Sequence, residues 1–297
     1  EVHEDEAGNI IGILKGENPD LPCVMMGSHY DSVVNGGDFD GIAGVVCAIE
    51  AARQLKDEGF TPKRNFAIVG FCDEEGMRFG TGYFGSGAML GHRDVEYCKH
   101  YKDTDGISIY DAMKGYGLDP EKIEDAKWPE GSIGKFLELH IEQGDRLFND
   151  EMEIGVVSGI VGIVRYKVIA VGHSNHAGTT MMQKRRDALT AMAKLIVQAD
   201  AKCREIDNAL VLTVGTIRCW PGSENVIPGR VECIFEMRHM DKDMTDRLID
   251  EIRNIAAKID TVEFEITKQI DKGSVKCDEH LMKVIGRAAA ELEMKHI

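Results

Sequence analysis

The sequence has no Cys-x-x-Cys pair among its eight cysteines, which argues against a zinc ribbon or a thioredoxin-type site. It has no apolar run near the ~18 residues that cross a bilayer, so an integral helical membrane protein is excluded. Positive charge is scarce: 35 Lys+Arg stand against 51 Asp+Glu, a formal net charge of −16. Phosphate binding needs a basic surface, so nucleic acid is not expected as the main partner. Internal repeats and low-complexity tracts are also lacking. The cysteines sit in apolar runs such as CVMMG, GVVCAIEAA and VGFCD, as buried reduced thiols do. Many unpaired thiols in a chain of this size point to the cytoplasm.

What is present reads as two domains. At ~150 residues per domain, 297 residues suffice for about two. Short apolar runs at 10–14, 23–27 and 65–71 predict buried strands, and 135–141 another. Residues 41–58 predict a helix, with Asp40 available as N-cap and Gly59 as stop. Residues 82–91 predict a short, glycine-diluted helix, and 103–131 are turn-rich with small helical pieces. This alternation predicts an α/β layer with a largely parallel sheet. From residue 158 the rhythm changes. Strands at 161–172, 210–219, 230–238 and 261–270 interleave with amphipathic helices at 185–205 and 243–259. That order is βαββαβ, the ferredoxin-like arrangement. The expected organisation is an α/β domain over 1–157 and 272–297, to which a helix at 278–294 returns, with 158–271 inserted into it.

Four segments in the first part carry candidate chemistry. Gly27–Ser32 (GSHYDS) follows a strand, which places His29 and Asp31 at a carboxyl end, where ligands bind in α/β sheets. An Asp near a His can fix its tautomer and raise its basicity as a ligand. Asn35–Gly41 (NGGDFDG) presents Asp40 between glycines, as a helix cap or as a carboxylate that bridges two cations. Cys72–Gly76 (CDEEG) places Glu74 and Glu75 side by side after another strand. Adjacent carboxylates are costly unless a cation sits there, so one Glu would bind metal and the other would act as general base. Glu138–Gly144 (ELHIEQG) adds His140. Two imidazoles with carboxylates suit zinc, manganese or a similar ion.

A fifth set lies in the second part: His176 within HSNHAGTT, Asn225 within NVIPG, and Arg238 beside His239. Arg238 could clamp a substrate carboxylate bidentately. His176 and Asn225 could donate to a developing oxyanion. Turn and surface roles are the alternatives for all three.

Taken together, GSHYDS, GGDFDG, DEEGMRF, LHIEQG, HAGTT, RRDAL and NVIPGR resemble the hydantoinase/carbamoylase family of the zinc-dependent aminoacylase/carboxypeptidase superfamily. The resemblance covers essentially the whole chain. It implies a zinc-exopeptidase-like catalytic domain with an inserted dimerisation domain. It also implies two divalent ions per subunit, zinc or manganese, with cobalt and nickel as further candidates. His29 and His140 would bind one ion, Asp40 would bridge both, and Glu75 would bind the second. Glu74 would be the base, and Asp31 would orient His29. His176, Asn225 and Arg238 would bind the substrate carboxylate and the oxyanion, with His176 reaching a homodimer partner's site. The implied activity is hydrolysis of the carbamoyl or ureido C–N bond of a small carboxylate, either an N-carbamoyl-L-amino acid or allantoate. Asp73 ahead of the Glu pair leans towards allantoate. An aminoacylase or dipeptidase, and a non-catalytic dimeric binding protein, are the rival readings.

Two features depart from the family pattern. Met181 stands where a proline is common. A C-terminal Gly-His-Asp segment that supplies one more ligand has no counterpart, and neither His280 nor His296 is assigned that role. With Glu1 first and Met25 the first methionine, the expectation is a catalytic domain clipped at both ends.

Overall fold

A computed structural model describes residues 1–297. It divides into two compact units, Glu1–Asp145 and Arg146–Ile297. No helix is long and apolar enough to cross a membrane.

The first unit begins with a hairpin of β1 (Val2–Glu4) and β2 (Ile10–Leu14), followed by β3 (Cys23–His29), α1 (Ile42–Asp57) and β4 (Phe66–Phe71). Three short helices follow, α2 (Phe84–Met89), α3 (Val95–His100) and α4 (Ile109–Tyr116), then a 3-10 turn at Pro120–Ala126 and β5 (Ile133–Leu137). The sheet order is β1-β2-β4-β3-β5. Only β4-β3 and β3-β5 are parallel, and the hairpin joins antiparallel. The parallel character is therefore confined to the strands that carry the site. Ile11, Met25, Ala67 and Val69 form the apolar layer beneath them. A second cluster, with Phe84, Cys98, Ile109 and Ile123, packs the short helices together.

Helix α1 starts differently from the sequence expectation. Its N-cap is Gly41, at φ 68°, and no side chain caps it. A side chain on Gly41 would place its Cβ 2.4 Å from the His29 ring, so only glycine lets the helix begin this close to the imidazole. The Asp40 carboxylate is thereby left for another purpose.

The second unit contains α5 (Arg146–Asn149), β6 (Gly159–Ile160), β7 (Gly162–Val171), α6 (Ala188–Ile206), β8 (Val211–Trp220), β9 (Arg230–His239), α7 (Lys242–Ala257), β10 (Glu263–Lys272), β11 (Val275–Lys276) and α8 (Glu279–Glu291). From β7 to β10 the order is βαββαβ, and the four-stranded antiparallel sheet runs β10-β7-β9-β8. Alternate residues of β7 and β9 face inward, as their period-two pattern requires. Val168, Phe235 and Met237 meet Met192 and Leu195 of α6 and Leu248 and Ile252 of α7. Asp187 and Asp241 cap those two helices with their side chains. Beside this sheet, β6 pairs with β11, and 153–156 bond to Lys295 and Ile297.

Candidate metal centre and substrate-binding residues

His29 is the last residue of β3 and is 2% exposed. Its Nδ1 faces the Asp31 carbonyl at 2.8 Å, and the Nδ1 of His140 faces the Ile141 carbonyl at 2.9 Å. A carbonyl only accepts, so each Nδ1 carries a proton, and in the neutral ring each Nε2 is left with the lone pair that a cation would take. Those two Nε2 atoms lie 3.4 Å apart. The Asp40 Oδ1 stands 3.3 Å from His140 Nε2 and 3.9 Å from His29 Nε2. Asp40 is buried, and this oxygen has no hydrogen-bond partner.

With both rings neutral, three lone-pair donors thus converge with no proton between them, which is costly unless a cation is present. Tetrahedral ligands at zinc–nitrogen and zinc–oxygen distances of ~2.0–2.1 Å would stand roughly 3.4 Å from one another. Two of the three observed separations match that edge. The residues fit a divalent ion.

A second group shares His29: single ligand atoms of His29, Glu74 and Glu75 lie within 4.8 Å of one another. Burial raises the Glu74 carboxyl above its ordinary range; His29 offsets this, while Glu75, Asp31 and Glu138 add to it. A carboxylate of that kind is a better base than an exposed one. Asp31 does more than the sequence reading assigned to it. Its carbonyl, rather than its carboxylate, makes the short contact with His29. Its two carboxylate oxygens accept the N–H groups of Glu74 and Glu75, each at 3.0 Å.

The strand expected over 135–141 is corrected: β5 runs Ile133–Leu137, and His140 lies in the loop beyond. Two residues not singled out from sequence belong to this environment. Ser28 donates a short hydrogen bond to Glu138, tying β3 to the His140 loop. Gln143 faces the other Asp40 oxygen at 3.5 Å. Both lay inside motifs read for their histidines, so their types were visible but their partners were not.

In the second unit, His176 and Asn225 come together. His176 bridges to Val226, and the Ala177 N–H donates to the Asn225 carbonyl. The Gly178 N–H donates to His176 Nδ1 at 3.1 Å, so the neutral ring carries its proton on the exposed Nε2, where it can donate. Arg185, from the RRDAL segment, holds this loop by donating to the Ala177 and Thr180 carbonyls; sequence reasoning gave it no role. Arg238 is not beside them. It pairs with Ile163 at the start of β7, whereas Arg230, next to the 225–229 turn, pairs with Val171 at its end. Eight residues of strand separate the two ends, about 26 Å at ~3.3 Å per residue. The Arg238 Nε donates to Glu236 at 2.7 Å, and Arg165 bonds the other Glu236 oxygen.

Residues 25–297 match the model of the Peptidase family M20/M25/M40. The chain belongs to this family. Among its M20 relatives is an N-carbamoyl-L-amino-acid amidohydrolase of Pseudomonas sp. (strain NS671), 37% identical over 299 residues, covering 99% of this chain and 72% of that protein. An allantoate amidohydrolase of Bacillus subtilis (strain 168) is 39% identical over 239 residues, covering 80% of this chain and 58% of the relative. A crystal structure of a hydantoinase/carbamoylase family amidase from Burkholderia multivorans superposes with a TM-score of 0.84 at 32% identity, over 100% of this chain and 72% of that one.

Proposed function

We propose that this M20-family chain is a metal-dependent amidohydrolase that cleaves the carbamoyl or ureido C–N bond of a small carboxylate substrate. The observation that carries the reading is the convergence of the Nε2 atoms of His29 and His140 on an unpartnered, buried Asp40 oxygen. The names of the relatives support the bond type, since they are N-carbamoyl-L-amino-acid and allantoate amidohydrolases. Asp73 ahead of Glu74-Glu75 favours an allantoate-type substrate.

His29, His140 and Asp40 would hold one divalent ion, and Asp40 with Glu75 a second, zinc or manganese being the natural choices for this donor set. When bound, the ions supply the Lewis acidity that makes water reactive near neutral pH. Glu74 takes a proton from the attacking water and passes it to the departing nitrogen. Asp31 holds the backbone of Glu74 and Glu75 and the ring of His29 in place. Arg238, oriented by Glu236, binds the substrate carboxylate with its remaining N–H groups. His176 Nε2–H and Asn225 stabilise the carbonyl oxygen as charge develops on it. Water adds across the C–N bond, and a carbamate so released decomposes to ammonia and carbon dioxide.

We read 1–157 with 272–297 as the catalytic domain and 158–271 as an inserted dimerisation domain. The β6–β11 pairing supports this, because it brings the entry and exit of the insert side by side. The separation of Arg238 from His176 and Asn225 supports a homodimer: a second copy would bring His176 and Asn225 to the substrate held by Arg238. The eight free thiols support a reducing, cytoplasmic compartment. The test is a substrate panel before and after chelation. Turnover of allantoate or an N-carbamoyl-L-amino acid that is lost with a chelator and restored by zinc or manganese is expected. Turnover of acyl-amino acids or dipeptides alone, or of nothing in the metal-loaded protein, would overturn the proposal.

A further inference from the structure

Asn9 lies in the β1–β2 turn, 63 residues from Cys72, and has no exposed surface. Every polar atom of its side chain is used. Its Nδ2 donates to Asp5 Oδ2 at 2.8 Å and to the Gly85 carbonyl at 3.1 Å, while its Oδ1 accepts the Cys72 N–H at 3.0 Å. The reverse amide orientation would face N–H against N–H, so the network fixes the assignment. Asp5 in turn accepts the N–H groups of Ala7 and Asn9, which makes the turn rigid. Space is matched as closely as polarity: a Cβ on Gly85 would sit 2.0 Å from the Asn9 oxygen.

What Asn9 holds is informative. Cys72 is the first residue beyond β4, where the sheet ladder has ended. Asp73 then turns through a positive φ of 48°, and Glu74 and Glu75 follow. The N–H groups of that segment go to two side chains from other parts of the chain, Cys72 to Asn9 and Glu74 and Glu75 to Asp31. The same turn also reaches the other arm of the site, because the Tyr30 hydroxyl donates to the Gly8 carbonyl at 2.8 Å. One rigid turn therefore grips the His29–Asp31 arm and the Glu74–Glu75 arm together.

We infer that Asn9 is a positioning residue, which sets the Glu74–Glu75 arm against His29 through its bond to the Cys72 amide. This rests on the metal-site reading above. The consequence is asymmetric. Removing Asn9 loosens the arm that carries Glu75 and leaves His29, His140 and Asp40 where they are.

The test is titration of the metal-free protein with zinc in competition with a chromophoric chelator, alongside thermal denaturation and steady-state kinetics. For Asn9→Ala, the affinity for the more weakly held ion should fall about tenfold or more, and that for the tighter ion should stay within about threefold, in keeping with the cost of removing outer partners of ligands. The kcat should fall about tenfold with KM within about twofold, since Arg238, His176 and Asn225 are untouched. Ile123→Ala, in the buried cluster of short helices, should lose as much thermal stability and change neither affinity. Asn9→Ser, too short to reach Cys72, gives the same reading if the alanine variant does not fold. Wild-type affinity for both ions in a folded Asn9 variant, or the same loss in Ile123→Ala, would overturn the inference. A wild-type protein that binds no zinc would instead overturn the functional reading, and this inference with it.

Discussion

Asp40→Asn should change stability in opposite directions with and without metal. In the metal-free protein the buried Asp40 Oδ1 has no hydrogen-bond partner and faces two imidazole nitrogens. An amide at this position carries no charge, and its N–H groups can donate to His140 Nε2, 3.3 Å from the present oxygen, and towards His29 Nε2 at 3.9 Å. Relieving one unsatisfied buried polar group is worth ~1–3 kcal/mol. At ~2–4 °C per kcal/mol for a unit of this size, the variant should melt ~2–12 °C higher than wild type in chelator. With metal in excess the order should reverse. A ligand present at about a thousand times its Kd adds ~4 kcal/mol to the state that binds it, and the variant has lost the carboxylate that draws the ion in. Differential scanning calorimetry in chelator and in excess zinc reads both arms. A variant less stable than wild type in chelator would refute the argument that Asp40 is held ready for a cation.

Arg238→Lys replaces a planar fork by a point donor beside Glu236; KM for the carboxylate substrate should rise about tenfold or more, the equivalent of one charged hydrogen bond, and an unchanged KM would remove Arg238 from substrate binding. Mixing separately inactive His176→Ala and Arg238→Ala subunits, then allowing exchange, should restore about a quarter of wild-type activity, since half the dimers are hybrids with one complete site each. No recovery despite exchange would count against a site shared between copies. Burial pushes the Glu236 carboxyl up, but bonds from Arg165 and Arg238 prevail and hold it below its ordinary range. A lowered carboxylate contributes stability above its unfolded pKa of ~4.3 and loses it as the pH falls through the folded value. Glu236→Gln should therefore lower Tm at pH 7, with the deficit shrinking as the pH is taken below ~4.3; a deficit constant with pH would refute the assignment.

Much of this was legible in the sequence because it is carried by local pattern. Continuous apolar runs marked β3 and β4, and period-two and helical stripes marked β7, α6, β9 and α7. The strand-end position of His29 and the start of the Glu74–Glu75 turn followed from them. Features that depend on partners distant in sequence were not legible. Asp40 read both as a helix cap and as a cation-bridging carboxylate, because an Asp before an apolar helix commonly caps it; that Gly41 takes the cap follows from the nearness of the His29 ring. Strand β1 and helix α3 are short and polar, so no periodicity announced them. The second role of Asp31 lies in two backbone N–H groups more than forty residues away. Asn9 and Asp5 look like ordinary turn residues until Cys72 and Gly85 are seen against them. Arg238 was grouped with His176 and Asn225 by chemistry, and only the strand register places them at opposite ends of the sheet.

The central claim is that Glu74 is the base in a metal-dependent hydrolysis of a carbamoyl or ureido bond. Glu74→Gln keeps the size of the side chain and removes its ability to take a proton. Ammonia release from allantoate and from an N-carbamoyl-L-amino acid should be measured with metal content determined on the same preparation. The ions should be retained and turnover should fall ~10²–10⁴-fold. A metal-loaded Glu74→Gln protein turning over at close to the wild-type rate would contradict it.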